Sequence, residues 1–362
     1  MRRALMFFLI SSIFLSGCWD QRLYKDLSII SVIGVDGYIG DIKAYYAYPS
    51  SSDDPTKYIV LDGKGKTARE VRMDANKKSE QAIDIAELTT ILFSEDTAKK
   101  NLYKMLDVYY RSAQSPMTAK VVLTEGSVKK FLDLKENIPK EIGEYYLDFI
   151  KSFEEYSIYP KTNLEIAANR MFSEGVDLGL PYIKISGKGL PEAEGLALFN
   201  GQKYTGIHLT QRESLFVTLL GYGKAKMVEV SYLWNKDEEK EPVSFNIIRF
   251  KQKKKVTQVG SKIKLSYEIK MPIVMTEYPP DHLNKKEKRE PLKKFIEKRI
   301  EKDIAKMFKK CQEASSDVVG IGEDIRAYHP DLWKEGKWKE LYKDMEIEAK
   351  VNVQIVRSGS TR

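Results

Sequence analysis

Lys262-Ile263-Lys264-Leu265-Ser266-Tyr267-Glu268-Ile269-Lys270-Met271 alternates without a break. Ile263, Leu265, Tyr267, Ile269 and Met271 fall on one side, and Lys264, Ser266, Glu268 and Lys270 on the other. That period of two predicts a half-buried strand. Ile347, Ala349, Val351, Val353 and Ile355 repeat the pattern near the end of the chain. Strands with one apolar and one polar side belong to an antiparallel sheet covered on one face only. The cover is encoded between them. From about Glu290 to Ala314, apolar residues recur at spacings of three and four: Leu292, Phe295, Ile296, Ile300, Ile304, Met307, Phe308 and Cys311. This is one face of a long helix. The C-terminal half is therefore expected to be an antiparallel sheet covered by a long helix.

Upstream, Asn200-Gly201 separates two strand-like runs and is the strongest short hairpin signal in the chain. Thr210 stands where a cap is needed for a helix through Leu215 to Leu220. The Gly and Pro cluster Ser186-Gly187-Lys188-Gly189-Leu190-Pro191 suggests a boundary. Before it, Leu27 to Val35 and Ile42 to Tyr48 read as a hairpin turning at Asp36-Gly37. Helical composition follows at Thr67 to Lys78, Thr97 to Tyr110 and Lys140 to Met171. Leu88 to Phe93 is a short apolar run and Ala119 to Leu123 resembles a strand. No strict βαβ period and no internal repeat emerge. The expected fold class is α+β, multi-domain, with mixed or antiparallel sheets and packed helices. Its expected parts are an N-terminal α+β region over 18–187 and a C-terminal α+β domain over 188–362.

Residues 1–17 are set apart. Met1-Arg2-Arg3 precedes an apolar run from Ala4 to Leu15, and small residues lead to Cys18. A positive start, a short apolar stretch and a small-residue cleavage point make a secretory signal. As a helix the run of about 12 residues reaches ~18 Å, short of the ~30 Å hydrocarbon core. Leu15-Ser16-Gly17-Cys18 looks like a bacterial lipobox. In that motif the thiol takes a diacylglyceryl group as a thioether, cleavage falls between Gly17 and Cys18, and the new N-terminus is acylated, typically with palmitate. One acyl chain holds a protein marginally at a membrane, and two or more hold it stably.

The chain has 362 residues, 42% hydrophobic and 31% charged, with a formal charge of +8. A mild cationic excess on a tethered protein favours an anionic lipid surface or acidic wall polymers, and a secreted chain is not expected to meet nucleic acid. Of the two cysteines, Cys18 would be acylated, which leaves Cys311 on its helical stripe as a buried small hydrophobe. The three histidines, His208, His282 and His329, stand in no metal spacing. Gly63-Lys64-Gly65-Lys66-Thr67 lacks the earlier glycine of a phosphate loop, Val60 standing there, so a glycine turn capped by Thr67 is the better reading. Asp317, Glu323 and Asp324 do not follow the calcium-loop spacing and suit helix capping. The basic tracts Lys251 to Lys255 and Lys285 to Arg289 are solvated edges, or faces toward a membrane or partner. No catalytic or metal-binding residue and no cofactor are assigned, and a non-catalytic binding or assembly module is expected.

Four stretches in order carry a family resemblance. Gly17-Cys18-Trp19-Asp20, with Asp26-Leu27 and the run to Gly34-Val35-Asp36, resembles the mature start of the C-subunit lipoproteins of spore germinant receptors, the Ger(x)C type. Gly65-Lys66-Thr67-Ala68-Arg69-Glu70 is similar to that family's glycine–threonine helix start. Gly195-Leu196-Ala197-Leu198-Phe199, then Lys203, Gly206 and Glu213, resembles the opening of its C-terminal domain. Ser316-Asp317-Val318-Val319-Gly320-Ile321-Gly322, then Pro330 and Trp333, resembles its late signature. Leu23 departs from the pattern, an acidic residue being expected there.

The resemblance implies a multi-domain α+β lipoprotein of sporulating Firmicutes, on the outer face of the spore inner membrane. It implies A- and B-type membrane subunits as partners in spore germination, and no enzymatic activity or cofactor. It does not settle whether this subunit touches germinant. The rival expectation is an extracytoplasmic solute-binding lipoprotein of a transporter, with two lobes around a cleft. A tethered wall hydrolase is a third, for which no convergent acid/base or metal site can be assembled from these residues.

Overall fold

The computed structural model describes residues 26–50, 54, 56–112, 115–134, 138–223, 228–236, 239–260 and 262–357. Gly17 and Cys18 lie outside the described residues.

The chain opens with β1 (Leu27–Ile29), β2 (Val32–Tyr38), β3 (Asp41–Pro49) and β4 (Tyr58–Gly65). The β2–β3 hairpin is present, but it turns at Ile39-Gly40 rather than at Asp36-Gly37. Asp36 is used elsewhere, its carboxylate accepting from the Ser127 hydroxyl at 2.6 Å and the Val128 N–H at 3.1 Å. α1 (Ala68–Asn76) follows, with the Thr67 hydroxyl capping the Glu70 N–H as expected. Gly63 and Gly65 are strand residues, not a turn. A Cβ on Gly63 would sit 2.2 Å from the Val71 carbonyl oxygen, so the glycine lets α1 lie directly on β4.

Next come β5 (Ala82–Asp84), β6 (Thr90–Ser94), α2 (Glu95–Tyr110), β7 (Lys120–Thr124), α3 (Lys129–Leu132), α4 (Ile142–Glu155) and α5 (Leu164–Phe172). The helical stretch expected over Lys140 to Met171 is thus two helices. Ser157, in the left-handed region at φ 61°, and Pro160 end the first, and Asn163 caps the second. β8 (Gly179–Ile185), β9 (Pro191–Asn200) and β10 (Lys203–Thr210) complete a sheet of order β10-β9-β8-β7-β6-β2-β3-β4. β2, β6, β7 and β8 run parallel, and the hairpin strands on either side are antiparallel. Central strands are apolar on both faces because both are covered. All five residues of β6 are buried. Ser186 to Leu190 forms the turn between β8 and β9, so the sheet is continuous across it.

α6 (Gln211–Tyr222) leaves this sheet behind a capping box of Thr210 and Glu213. A second sheet follows, of β11 (Glu229–Lys236), β12 (Glu239–Ile247), β13 (Lys251–Val259) and β14 (Lys262–Glu277), all antiparallel. α7 (Lys286–Glu313) then packs on its apolar face, with Ile296, Ile300, Ile304, Met307 and Cys311 buried. Ile263, Leu265, Tyr267, Ile269 and Met271 of β14 are buried beneath it, and the Tyr267 and Phe308 rings stack at 5.7 Å. After α8 (Ile321–Tyr328) and α9 (Trp338–Lys343), β15 (Glu346–Arg357) joins β14 in parallel. The parallel direction follows from the helical crossover between the two strands. The fold is therefore the expected α+β class, with one parallel strand in an otherwise antiparallel C-terminal sheet.

One apolar core joins the two sheets. It runs from Val32, Leu92 and Ile183 beneath the first sheet, through Leu219 of α6, to Tyr267 and Val353 of the second. The opposite face of the first sheet has its own core with α1, α2 and α5.

β15 has a free side, which helix α7 closes. The Val351 N–H donates to Glu301 Oε1 and the Val353 N–H to Glu297 Oε1, both at 2.9 Å. Unpaired edge groups template aggregation, and here two of them are occupied. Replacing Glu297 and Glu301 together by Ala is expected to cost roughly 2 kcal/mol in urea unfolding and to promote self-association. Unchanged stability and a monodisperse light-scattering profile would show that the caps are dispensable.

Candidate functional site

The residues of the late signature come together at the junction of the two halves. Ser315 at φ 47° reverses the chain after α7, and Ser316 and Asp317 enter the interior fully buried. Asp317 Oδ1 accepts the N–H groups of Gly320 at 2.9 Å and Ile321 at 3.0 Å. Its Oδ2 accepts those of Gly322 at 2.7 Å and Trp338 Nε1 at 3.2 Å. These include the first donors of α8, so the carboxylate is a helix cap, as its spacing suggested. A second carboxylate, Asp177, lies just before β8 and is 2% exposed. Its Oδ2 accepts the Asp317 N–H at 2.7 Å and pairs with Lys339 Nζ, while Oδ1 accepts the Gly201 N–H at 3.0 Å.

Other contacts fasten the same seam. Arg170 Nη1 donates to the carbonyls of Asp177 at 3.2 Å and Val318 at 3.1 Å, and its guanidinium lies over the Tyr222 ring at 5.1 Å. The Ser173 hydroxyl donates to Glu323 Oε1 at 2.5 Å. A Cβ on Gly322 would come within 2.6 Å of the Trp338 ring, so glycine is needed for the indole to reach Asp317. Burial pushes the Asp317 carboxyl up to about 6, with the Asp177 charge adding and the three backbone donors opposing.

Beside this seam a cleft of about 890 Å³ separates α4 and the loop after it from α6 and the β12–β13 link. Lys120 and Glu154 pair in its wall at 2.6 Å, both largely buried. The cleft does not divide two lobes, because the first sheet and the shared core run past it unbroken.

The other sequence candidates are scattered. His208 is on β10 against the Tyr182 ring, His282 is in a left-handed turn, and His329 ends α8. Cys311 is buried, and burial raises its thiol pKa, which suits packing and not nucleophilic attack. Glu323 and Asp324 do not converge on Asp317, since they pair with Arg326 and Lys254 respectively. Among the described residues no group of His, Cys, Asp and Glu could hold a metal ion. In the tract Lys251 to Lys255, Lys254 alone pairs with a carboxylate among the described residues, and it also lies over the Tyr267 ring at 5.8 Å. Lys285 to Arg289 opens α7 without a side-chain cap. Asp177 and Lys339 were missed by sequence reasoning. An acid far from its partner in sequence carries no local pattern.

Comparison with known proteins fits this division. Residues 20–185 match the family model described as spore germination protein N-terminal domain. Residues 194–359 match the one described as spore germination B3/GerAC like, C-terminal. Both halves thus match spore germination protein families. The chain belongs to the Ger(x)C family. Similar curated proteins include spore germination protein GerQC of Bacillus cereus, 25% identical over 98% of both chains. Spore germination protein KC of Bacillus subtilis (strain 168) is 24% identical over 97% of this chain and 94% of its own. Among solved structures, the GerBC protein shares the fold with a TM-score of 0.57 at 17% identity, over 90% of this chain and 96% of that one.

Since the folded-state pKa of Asp317 exceeds its unfolded value, the folded protein holds a proton that the unfolded chain has released. Between the ordinary carboxylate range and about 6, this group therefore loses stability as pH rises and gains it as pH falls. The wild type should gain on Asp317→Asn by up to roughly 3 kcal/mol between pH 7 and pH 4 in denaturant titrations. A constant gap would show that Asp317 titrates at its unfolded value.

Proposed function

We propose that this chain is the lipid-anchored C-subunit of a spore nutrient germinant receptor, acting non-catalytically in receptor assembly or signalling. The observation that carries this reading is the match of both halves, in order, to spore germination families. The lipobox-like Leu15-Ser16-Gly17-Cys18 supports the anchor. No helix among the described residues is long and apolar enough to cross a membrane, so a lipid on Cys18 would supply the attachment.

From Cys18 to the first described residue, Asp26, even a fully extended chain spans at most roughly 28 Å. The folded body therefore stays close to the outer surface of the spore inner membrane. A- and B-type membrane subunits are the partners in this reading. Tethering raises the effective concentration of the body for them without any new contact. Residues 1–17 are the signal that directs export, removed between Gly17 and Cys18.

Cys18→Ala is expected to leave the melting curve of the body unchanged, to move the protein into the soluble fraction of spore lysates, and to slow nutrient germination. Full retention in the membrane fraction would remove the lipid anchor from the account. Affinity purification of tagged wild type from solubilised spore membranes should recover A- and B-type subunits. Recovery of an ABC-type permease instead would favour the solute-binding reading.

A further inference from the structure

Helices α1 and α2 lie on the same face of the first sheet and share its core, with a cavity between parts of them. The glycines of β4 explain the gap. With no Cβ at Gly63 or Gly65, α1 settles onto β4 at the sheet margin, and space is left between it and α2 over β2 and β3. A cavity of about 360 Å³ remains there, within the range of small-ligand sites. Ile33 and Ile42 line it from the sheet, Val71 from α1 and Met105 from α2.

Several polar side chains line it, among them Tyr46, Arg69, Arg72 and Tyr109. Tyr46 and Tyr109 are 4% and 7% exposed and both line the cavity, yet neither hydroxyl bonds to any described residue. Arg72 lines it as well, and among the described residues it has no carboxylate partner. A guanidinium is the side chain best shaped to grip a carboxylate, and phenol hydroxyls facing the cavity can add donors to it. Burial raises the pKa of both phenols, with Arg72 opposing, so both keep their protons and can donate. No Asp or Glu lines the cavity among the described residues, so nothing there would balance an ammonium.

We propose that this cavity is a binding site for a small apolar carboxylate carrying no cationic group. The carboxylate is held by Arg72, Tyr46 and Tyr109, and the hydrocarbon body lies against the apolar wall. The site is independent of the cleft beside α4 and of the receptor assignment.

The test is calorimetric titration of the full-length protein in phospholipid nanodiscs, with empty nanodiscs as the blank. The probe is 4-methylpentanoate. Its amide removes the charge, and L-leucine adds an ammonium to the same carbon skeleton. The acid should bind at least about tenfold more tightly than either. Arg72→Gln should weaken it about tenfold, and Tyr46→Phe and Tyr109→Phe severalfold each, with melting temperatures confirming that the variants fold. Lys151→Gln, in the other cleft, should bind like wild type. Absence of saturable heat up to about 10 mM, equal binding of the amide, or undiminished binding by folded Arg72→Gln would overturn the proposal. So would loss of binding in Lys151→Gln.

Discussion

The buried carboxylate of Asp317 is the constraint on which the joining of the two halves depends. It is fully removed from solvent and accepts four N–H donors, three from the start of α8 and one from Trp338. Its own backbone N–H is held by Asp177, which belongs to the first half and is neutralised by Lys339 from the second. Two buried acids so close repel, and a cation plus six N–H donors is a costly set to bury for an isolated helix cap. The arrangement makes sense as a lock. Each half presents donors or charge that only the other half satisfies, so separating them would strand buried polar groups on both sides.

That lock reinforces a covalent and apolar continuity. β9 and β10, which open the C-terminal family segment, are strands of the N-terminal sheet. α6 carries the shared core from one sheet to the other, with every residue from Glu213 to Leu220 buried. A sequence-defined boundary and a structural one therefore differ here. The turn at Ser186 to Leu190 marks where one family segment gives way to the next, yet packing does not part there. A hinge at this turn would have to tear a sheet.

What could be read from sequence follows from the range of the interactions involved. Periodicity located β14, β15 and α7, because a strand or helix on one core repeats its apolar residues locally. Caps were equally legible at Thr67 and Thr210, where donor and acceptor are three residues apart. Long-range use of a residue was not. Asp36-Gly37 has turn composition, but its aspartate serves a helix 91 residues away. Gly63 and Gly65 read as a turn because glycine signals flexibility locally, whereas here they admit a helix backbone onto a strand. At the junction, Asp317 was recognisable as a cap from its glycines, but its partnership with Asp177 spans 140 residues and leaves no pattern.

These features bear on how such a body could transmit anything to a membrane partner. One sheet shared between the segments, one core through α6 and a buried ionic lock leave few soft degrees of freedom between the halves. Small displacements in packed interiors are not absorbed gradually. A load applied to the C-terminal sheet would therefore reach the N-terminal sheet as motion of a single body. Within the N-terminal half, α1 is seated on β4 and meets α2 across a cavity. A ligand in that cavity would be felt through β2 and β3, on which both helices rest.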